Sequence, residues 1–339
     1  MSYSSAGKGS SSLLRWNEVP DEFVECFITS GYRKLHGSTR ECLISVFQPT
    51  NETFNFWTHF VPLLILLKSF CHLLFLETEQ PFHHPTFLPL WCYAFGVTLT
   101  LLMSCIAHLF NCMSVRLRRA FFYLDYALIS FYSFCSTLAY RYYVFPKLSV
   151  MDVNSMDTYF QGRSWYRTLI SLYTCALLPA AFTFAILCTI LCCTSRSRCY
   201  PFATRIFAFV MPLSLTAPVV AESIIFDLKV KNPTLFVCFY RRFLWLVLAA
   251  FFYLSKVPER LKPGCFDIMG HSHQFFHIFT FLGIYDQLSY VRHGLHQYVQ
   301  SPKDMPTFTN TIGLTLLLLG CLIFVTKSLI KGTSSCKKD

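Results

Sequence analysis

Long apolar stretches separated by short polar connections make up most of this chain. A helix needs about 20 mostly apolar residues to cross a bilayer, and we predict eight such helices. Only 14% of the residues are charged, against about 25% in soluble domains. The sequence therefore predicts an all-α, polytopic membrane helix bundle. Its helices are predicted at 53–76, 85–110, 121–145, 168–193, 206–226, 236–254, 273–291 and 308–330.

Charge and apolarity also divide the chain. We expect residues 1–52 to form a cytosolic N-terminal segment whose apolar clusters are short helices in the headgroup layer. Residues 53–331 would form the bundle, and 332–339 a short cytosolic tail. Lys and Arg are about twice as frequent in the segments on the N-terminal side of the membrane as in those on the opposite side. Arg241 and Arg242 are counted on the opposite side. Because Lys and Arg are more frequent on the cytosolic side of membrane proteins, the count predicts a cytosolic N-terminus. The net charge of +11 is spread over short clusters, so no nucleic-acid partner is expected.

Ionisable side chains inside membrane helices are costly and usually functional. His273 and His277 are four residues apart, so they share a helix face and can hold one metal ion. His108 ends the second predicted helix, and Asp125 lies near the start of the third. In the predicted topology all four lie at one depth near the cytosolic boundary. We therefore expect zinc at His108, His273 and His277, with a packed polar network as the alternative.

The same cluster contains groups suited to hydrolysis. Zinc held by three imidazoles keeps an open fourth position, as in catalytic sites. Asp125 would orient or deprotonate a water there, and Ser104, one turn from His108, would stabilise developing charge. These two residues are the catalytic candidates if the protein is a hydrolase; whether it is an enzyme stays open.

A further polar group opens the first predicted helix. Glu52, Asn55 and His59 have offsets of three and seven residues, which place them on one helix face at the same end of the bundle. One interpretation is a polar shell that supports the metal ligands. The other is an interfacial cap anchored by Trp57. Further from this group, Glu222, Asp286 and Arg141 are candidate buried polar residues.

Several short motifs, in this order, resemble the progestin and adipoQ receptor family over nearly the whole chain. They are Gly31-Tyr-Arg, the Glu52, Asn55, Trp57 and His59 block, Ser104 with His108, Asp125, Pro258-Glu-Arg, Pro263-Gly, Phe266-Asp and the Ser272 to His277 block. The resemblance implies a seven-helix core with a cytosolic N-terminus, plus an eighth C-terminal transmembrane helix as in the steroid-responsive branch. It also implies zinc on His108, His273 and His277.

Two functions follow from this resemblance and from the site chemistry. The first is a membrane receptor for progesterone and related neutral steroids, in the cell membrane or the endoplasmic reticulum. The second is a zinc-dependent lipid amide hydrolase, because the alkaline ceramidases share the Ser, Asp and three-His pattern. The expected partners are a steroid or lipid ligand and the membrane. Any G-protein signalling would be indirect, since the usual coupling motifs D-R-Y and N-P-x-x-Y are absent. The sequence does not identify the ligand-binding residues.

Overall fold

The computed structural model describes residues 13–77, 80–145, 164–195, 199–216, 233–300 and 304–335. Over these residues the chain forms a short helix and eight further helices, numbered here in chain order. They are α1 (Thr39–Ser45), α2 (Thr53–Phe75), α3 (Leu88–Phe110), α4 (Val115–Ala139), α5 (Ser164–Thr194), α6 (Pro201–Val210), α7 (Pro233–Ser255), α8 (Ser272–Gln300) and α9 (Leu314–Ser335).

Seven of the eight predicted membrane segments largely coincide with helices of this set. The remaining one, 206–226, overlaps α6 only at 206–210, and its residues 217–226 lie outside the described residues. Among the described residues, four stretches are long and apolar enough to cross a membrane by length and composition: Thr53–Phe75, Pro85–Phe110, Ser171–Thr194 and Thr309–Gly332. Helices α4, α7 and α8 are long but carry charged or polar residues that turn inward, including Asp125, Arg242 and Gln287. The chain is thus a polytopic helical membrane protein.

Several helix limits differ from the predicted ones. Helix α4 begins at Val115, six residues before the predicted start, because Ser114 caps it by accepting a hydrogen bond from Leu117 N at 3.2 Å. Helix α8 continues to Gln300, and α9 to Ser335, beyond the predicted start of the tail at 332. Helix α6 tightens into a 3₁₀ turn over Met211–Thr216, where Pro212 removes a backbone donor. Glu222, predicted in this helix, lies outside the described residues.

The core of the bundle is built from α2, α3, α8, the end of α4 and the π-helical turn Tyr140–Val144 that follows α4. It includes Phe70, Tyr93, Tyr143 and Leu288. Two glycines allow the closest contacts between helices. A Cβ on Gly294 would lie 2.1 Å from the Tyr143 carbonyl oxygen, and one on Gly96 would lie 2.8 Å from Cys135 Cβ. A methyl group at Gly294 would clash with the backbone of Tyr143, so α8 approaches the π-helical turn Tyr140–Val144, which continues α4, only because residue 294 is glycine.

Residues 13–52 fold against one end of the bundle. Leu14 pairs with Tyr32 in an isolated β-bridge, and Asp267, in the loop between α7 and α8, accepts hydrogen bonds from Thr29 Oγ1 (2.8 Å) and Ser30 Oγ (2.7 Å). The segment therefore covers the ends of α3 and α8 that carry the candidate histidines. Part of its apolar surface stays exposed, at Leu43, Ile44 and Phe47, as expected of residues in a headgroup layer.

Arg241 and Arg242 were counted as loop charges in the topology prediction, and this assignment was wrong. Both residues belong to helix α7 rather than to a connection. Arg241 binds Asp286 of α8 through Nε at 2.7 Å, and Trp245 Nε1 donates to the same carboxylate at 2.8 Å. Arg242 is buried with only 5% of its surface exposed. The two arginines contribute to the packing between α7 and α8. They therefore do not indicate on which side of the membrane a loop lies.

Candidate functional site

Helices α3 and α8 bring three histidines together. The candidate ligand nitrogens of His108, His273 and His277 all lie within 4.8 Å of one another. His273 Nε2 and His108 Nε2 are 3.2 Å apart. Zinc bonds to imidazole nitrogen are about 2.0–2.1 Å long, so two nitrogens on a tetrahedral ion are roughly 3.4 Å apart. The distance between His108 and His273 is close to this value, and His277 lies near enough to complete a three-histidine set.

Hydrogen bonds on the far side of each ring fix how the histidines present their nitrogens. His108 Nδ1 donates to Glu52 Oε2 at 2.7 Å. His277 Nδ1 donates to the Asn55 carbonyl oxygen at 3.1 Å and lies 3.0 Å from Thr58 Oγ1. A neutral imidazole whose Nδ1 carries the proton keeps its lone pair on Nε2. In that form His108 and His277 would each offer Nε2 to a metal, with the acceptors orienting the rings.

Glu52, at the start of α2, is the central acceptor behind the histidines. Besides His108, it accepts hydrogen bonds from Asn55 Nδ2 at 2.8 Å and from Asn111 Nδ2 at 2.5 Å. It is 7% exposed. His59 stacks on His277, with ring centroids 3.6 Å apart and planes at 14°. Glu52, Asn55 and His59 thus contact the candidate ligands themselves, which is the geometry of supporting residues.

The two catalytic candidates, Ser104 and Asp125, differ in their hydrogen bonding. Ser104 lies 2.7 Å from His59 Nδ1 through its hydroxyl, so this hydroxyl is engaged on the side of α2. Asp125 is buried, and its Oδ1 has no hydrogen-bond partner among the described residues. Asn55 Oδ1 and His59 Nε2 are also without partners there. Buried polar atoms left in this way are expected to meet water or a ligand.

One cavity of about 530 Å³ connects these groups. Ser104, His108, Asp125, His273 and His277 all line it. Apolar side chains provide most of the remaining surface, although Glu25, Arg118, Arg205, Arg242 and Lys256 also line the cavity. The apolar residues include Leu101, Ile129, Leu246, Phe276 and Ile284. Ligand pockets are typically 300–1,000 Å³ with apolar walls and a few placed polar groups. The cavity is therefore large enough for a small lipid.

Arg33 is part of the site but was not among the predicted site residues. Its guanidinium donates to the carbonyl oxygens of His108 (2.7 Å) and Leu109 (2.6 Å), to Asn111 Oδ1 (2.5 Å) and to Ser45 Oγ (3.0 Å). Two of these acceptors are carbonyl groups at the end of α3, which have no partner within the helix. The motif Gly31-Tyr-Arg was noticed, but its contact with α3 spans about 75 residues of sequence and leaves no local pattern.

Comparison with known proteins gives one family and a consistent set of relatives. A family model described as Haemolysin-III related matches residues 47–288. Membrane progestin receptor gamma-A of Danio rerio is 30% identical, over 91% of this chain and 92% of that protein. Membrane progestin receptor delta is 35% identical in Mus musculus, over 82% of this chain and 78% of that protein. The Homo sapiens delta receptor is 31% identical, over 96% and 93%.

Proposed function

The chain belongs to the haemolysin-III-related family, in which the progestin and adipoQ receptors are grouped, and from this premise we propose that it is a membrane receptor for progesterone and related neutral steroids. A zinc ion on His108, His273 and His277 would lie at the cytosolic end of the ligand cavity. The family membership and the names of its relatives support a membrane receptor role. The steroid and the metal are our proposal.

One observation carries the ligand assignment: the apolar cavity of about 530 Å³ that runs through the bundle to the three histidines. A rigid, apolar ligand gains affinity mainly by leaving water for such walls. A neutral steroid has this character and needs only a few polar contacts for orientation. In the proposed topology the N-terminus is cytosolic and the receptor resides in the cell membrane, or alternatively in the endoplasmic reticulum, with any G-protein signalling indirect.

The test is saturable binding of labelled progesterone to the purified full-length chain in lipid nanodiscs. Leu246 lines the cavity, so Leu246→Trp should fill it and reduce affinity by about tenfold or more, since overpacking costs about 1–3 kcal/mol. Leu244, on the same helix, is 52% exposed, and Leu244→Trp is the matched control. Binding that is non-saturable in the wild type, or equal in the two variants, would contradict the proposal.

A lipid amide hydrolase is the second candidate, and Asp125 is the observation in its favour. Its unpartnered Oδ1 belongs to a side chain that lines the same cavity as the histidines. Bound zinc would supply a Lewis acid and a water position there. The same nanodiscs, supplied with ceramide, give the discriminating readout. Amide cleavage that Asp125→Ala abolishes would assign hydrolysis to the site; steroid binding without cleavage would leave the receptor function alone.

A further inference from the structure

A second polar cluster surrounds Arg242, well away from the histidines. Arg242 Nη1 donates to the hydroxyl groups of Tyr140 and Tyr290, the latter at 3.2 Å. Its guanidinium carbon lies 5.6 Å from the Tyr140 ring centroid. Gln287 links the cluster by donating to Tyr140 and by accepting from Tyr132 and from Tyr93, the last at 3.2 Å. The partners of this arginine are therefore neutral hydroxyl groups and aromatic rings.

The charge of Arg242 has no counter-ion among the described residues. A guanidinium stays protonated in proteins, and a buried charge without an opposite charge is costly. The buried carboxylate of Asp286 on α8 is bound instead by Arg241 and Trp245. In addition, Arg242 Nε is buried with no hydrogen-bond partner in the described part of the chain. Tyrosine contacts offset part of the cost but leave the positive charge unneutralised.

Arg242 lines the same cavity as the histidines, together with Tyr132, Gly283 and Ile284. On α8, Ile284 lies 11 residues from His273, which is roughly 16 Å of helix. The cavity wall between these ends is mostly apolar, as at Leu101 and Leu246. A ligand in this cavity would thus meet mostly apolar walls along its body and the buried cation Arg242 at this end, apart from Arg118, Arg205 and Lys256, which line the cavity elsewhere.

We propose that Arg242 forms a subsite for the oxyanion group, a sulfate or a carboxylate, of an apolar ligand in this cavity. The planar guanidinium matches such oxygens in geometry and charge. This subsite rests on the proposed function and specifies its ligand further. The cavity would bind anionic derivatives more tightly than their neutral parents. A steroid sulfate and a long-chain fatty acid share this chemistry, and the experiment separates them.

The experiment measures direct binding of labelled ligands to the full-length protein in nanodiscs, using two matched pairs. One pair is a steroid 3-sulfate and its 3-hydroxyl parent; the other is a C18 fatty acid and its methyl ester. The anionic member should bind at least tenfold more tightly than the neutral member in at least one pair. Arg242→Gln should remove this preference while leaving the affinity for the neutral member within about threefold. The pair that shows the preference identifies the ligand.

Arg141→Gln is the matched control, because Arg141 is partly exposed and pairs with Asp304 outside the cavity lining. It should keep the anion preference. Equal affinity within both pairs, or a preference that persists in Arg242→Gln, would overturn the proposal. If Arg242→Gln does not fold, the comparison of anionic and neutral ligands in the wild type still tests the proposal. Arg242→Lys should weaken the anion preference, because lysine lacks the planar guanidinium of arginine.

A carboxylate elsewhere in the chain is the internal alternative, and Glu222 is the candidate in the part that the structure does not describe. If Glu222 neutralised Arg242, the wild type would show no anion preference and Glu222→Gln would create one. That result would contradict the proposed subsite. A neutral-steroid receptor without the anion preference would remain, so failure of the subsite is distinguishable from failure of the proposed function.

Discussion

The two polar ends of the cavity have opposite electrostatic character. At the histidine end, three imidazoles converge, and the buried Glu52 carboxylate accepts a hydrogen bond from His108. At the arginine end, a permanent cation lies among tyrosines with no carboxylate among the described residues beside it. Lone pairs of imidazole suit a cation, whereas a guanidinium suits an anion. The three histidines and Arg242, which lie at two ends of one cavity, therefore suit ligands of opposite charge.

The ends also differ in how their polar groups are satisfied. Behind the histidines, Glu52, Asn111 and Arg33 form a chain of charge-assisted hydrogen bonds that reaches the N-terminal segment. Such networks are strong when complete and costly when one member is lost. Around Arg242 the hydrogen bonds leave Nε without a partner in the described residues. We infer that the histidine end is pre-organised, whereas the arginine end is completed by a ligand.

The largest expected effect comes from breaking the histidine-end network at Arg33. Arg33→Met should lower the free energy of unfolding by about 3 kcal/mol, because Glu52 loses a nearby positive charge and two carbonyl groups of α3 lose their donor. The measurement is denaturant unfolding in detergent micelles. Arg40→Met, at an exposed position, is the control and should change stability by less than about 0.5 kcal/mol. Equal effects of the two variants would show that the network does not stabilise this end.

A smaller effect is expected from Glu52→Gln, which keeps the shape of the side chain but removes its charge. Without a carboxylate behind Nδ1, His108 is a weaker and less well-oriented ligand, so zinc affinity should fall by about 10–100-fold. Competition with a chelator of known affinity measures this. Glu41→Gln is the comparison, since Glu41 caps α1 at the surface and touches none of the histidines. An unchanged zinc affinity in Glu52→Gln would contradict the supporting role.

The difference between the two ends also explains what the sequence could and could not reveal. Helical spacing within α8 places His273 and His277 on one face, so the pair was predictable. Hydropathy located seven of the eight predicted membrane helices, and the structure describes the other, 206–226, only to residue 216. Arg33 and Asn111 were not predicted because their contacts join distant parts of the chain. Arg242 was interpreted as a loop charge because a charge count cannot distinguish a solvated arginine from one buried between α4, α7 and α8.

The central claim is that His108, His273 and His277 hold zinc, and metal content tests it most directly. Protein purified without a histidine tag should contain about one zinc per chain by mass spectrometry. The His273→Ala/His277→Ala double variant should lose nearly all of it, while His83→Ala, at an exposed position, should keep it. A folded, monodisperse double variant with zinc stoichiometry equal to that of the wild type would contradict the account.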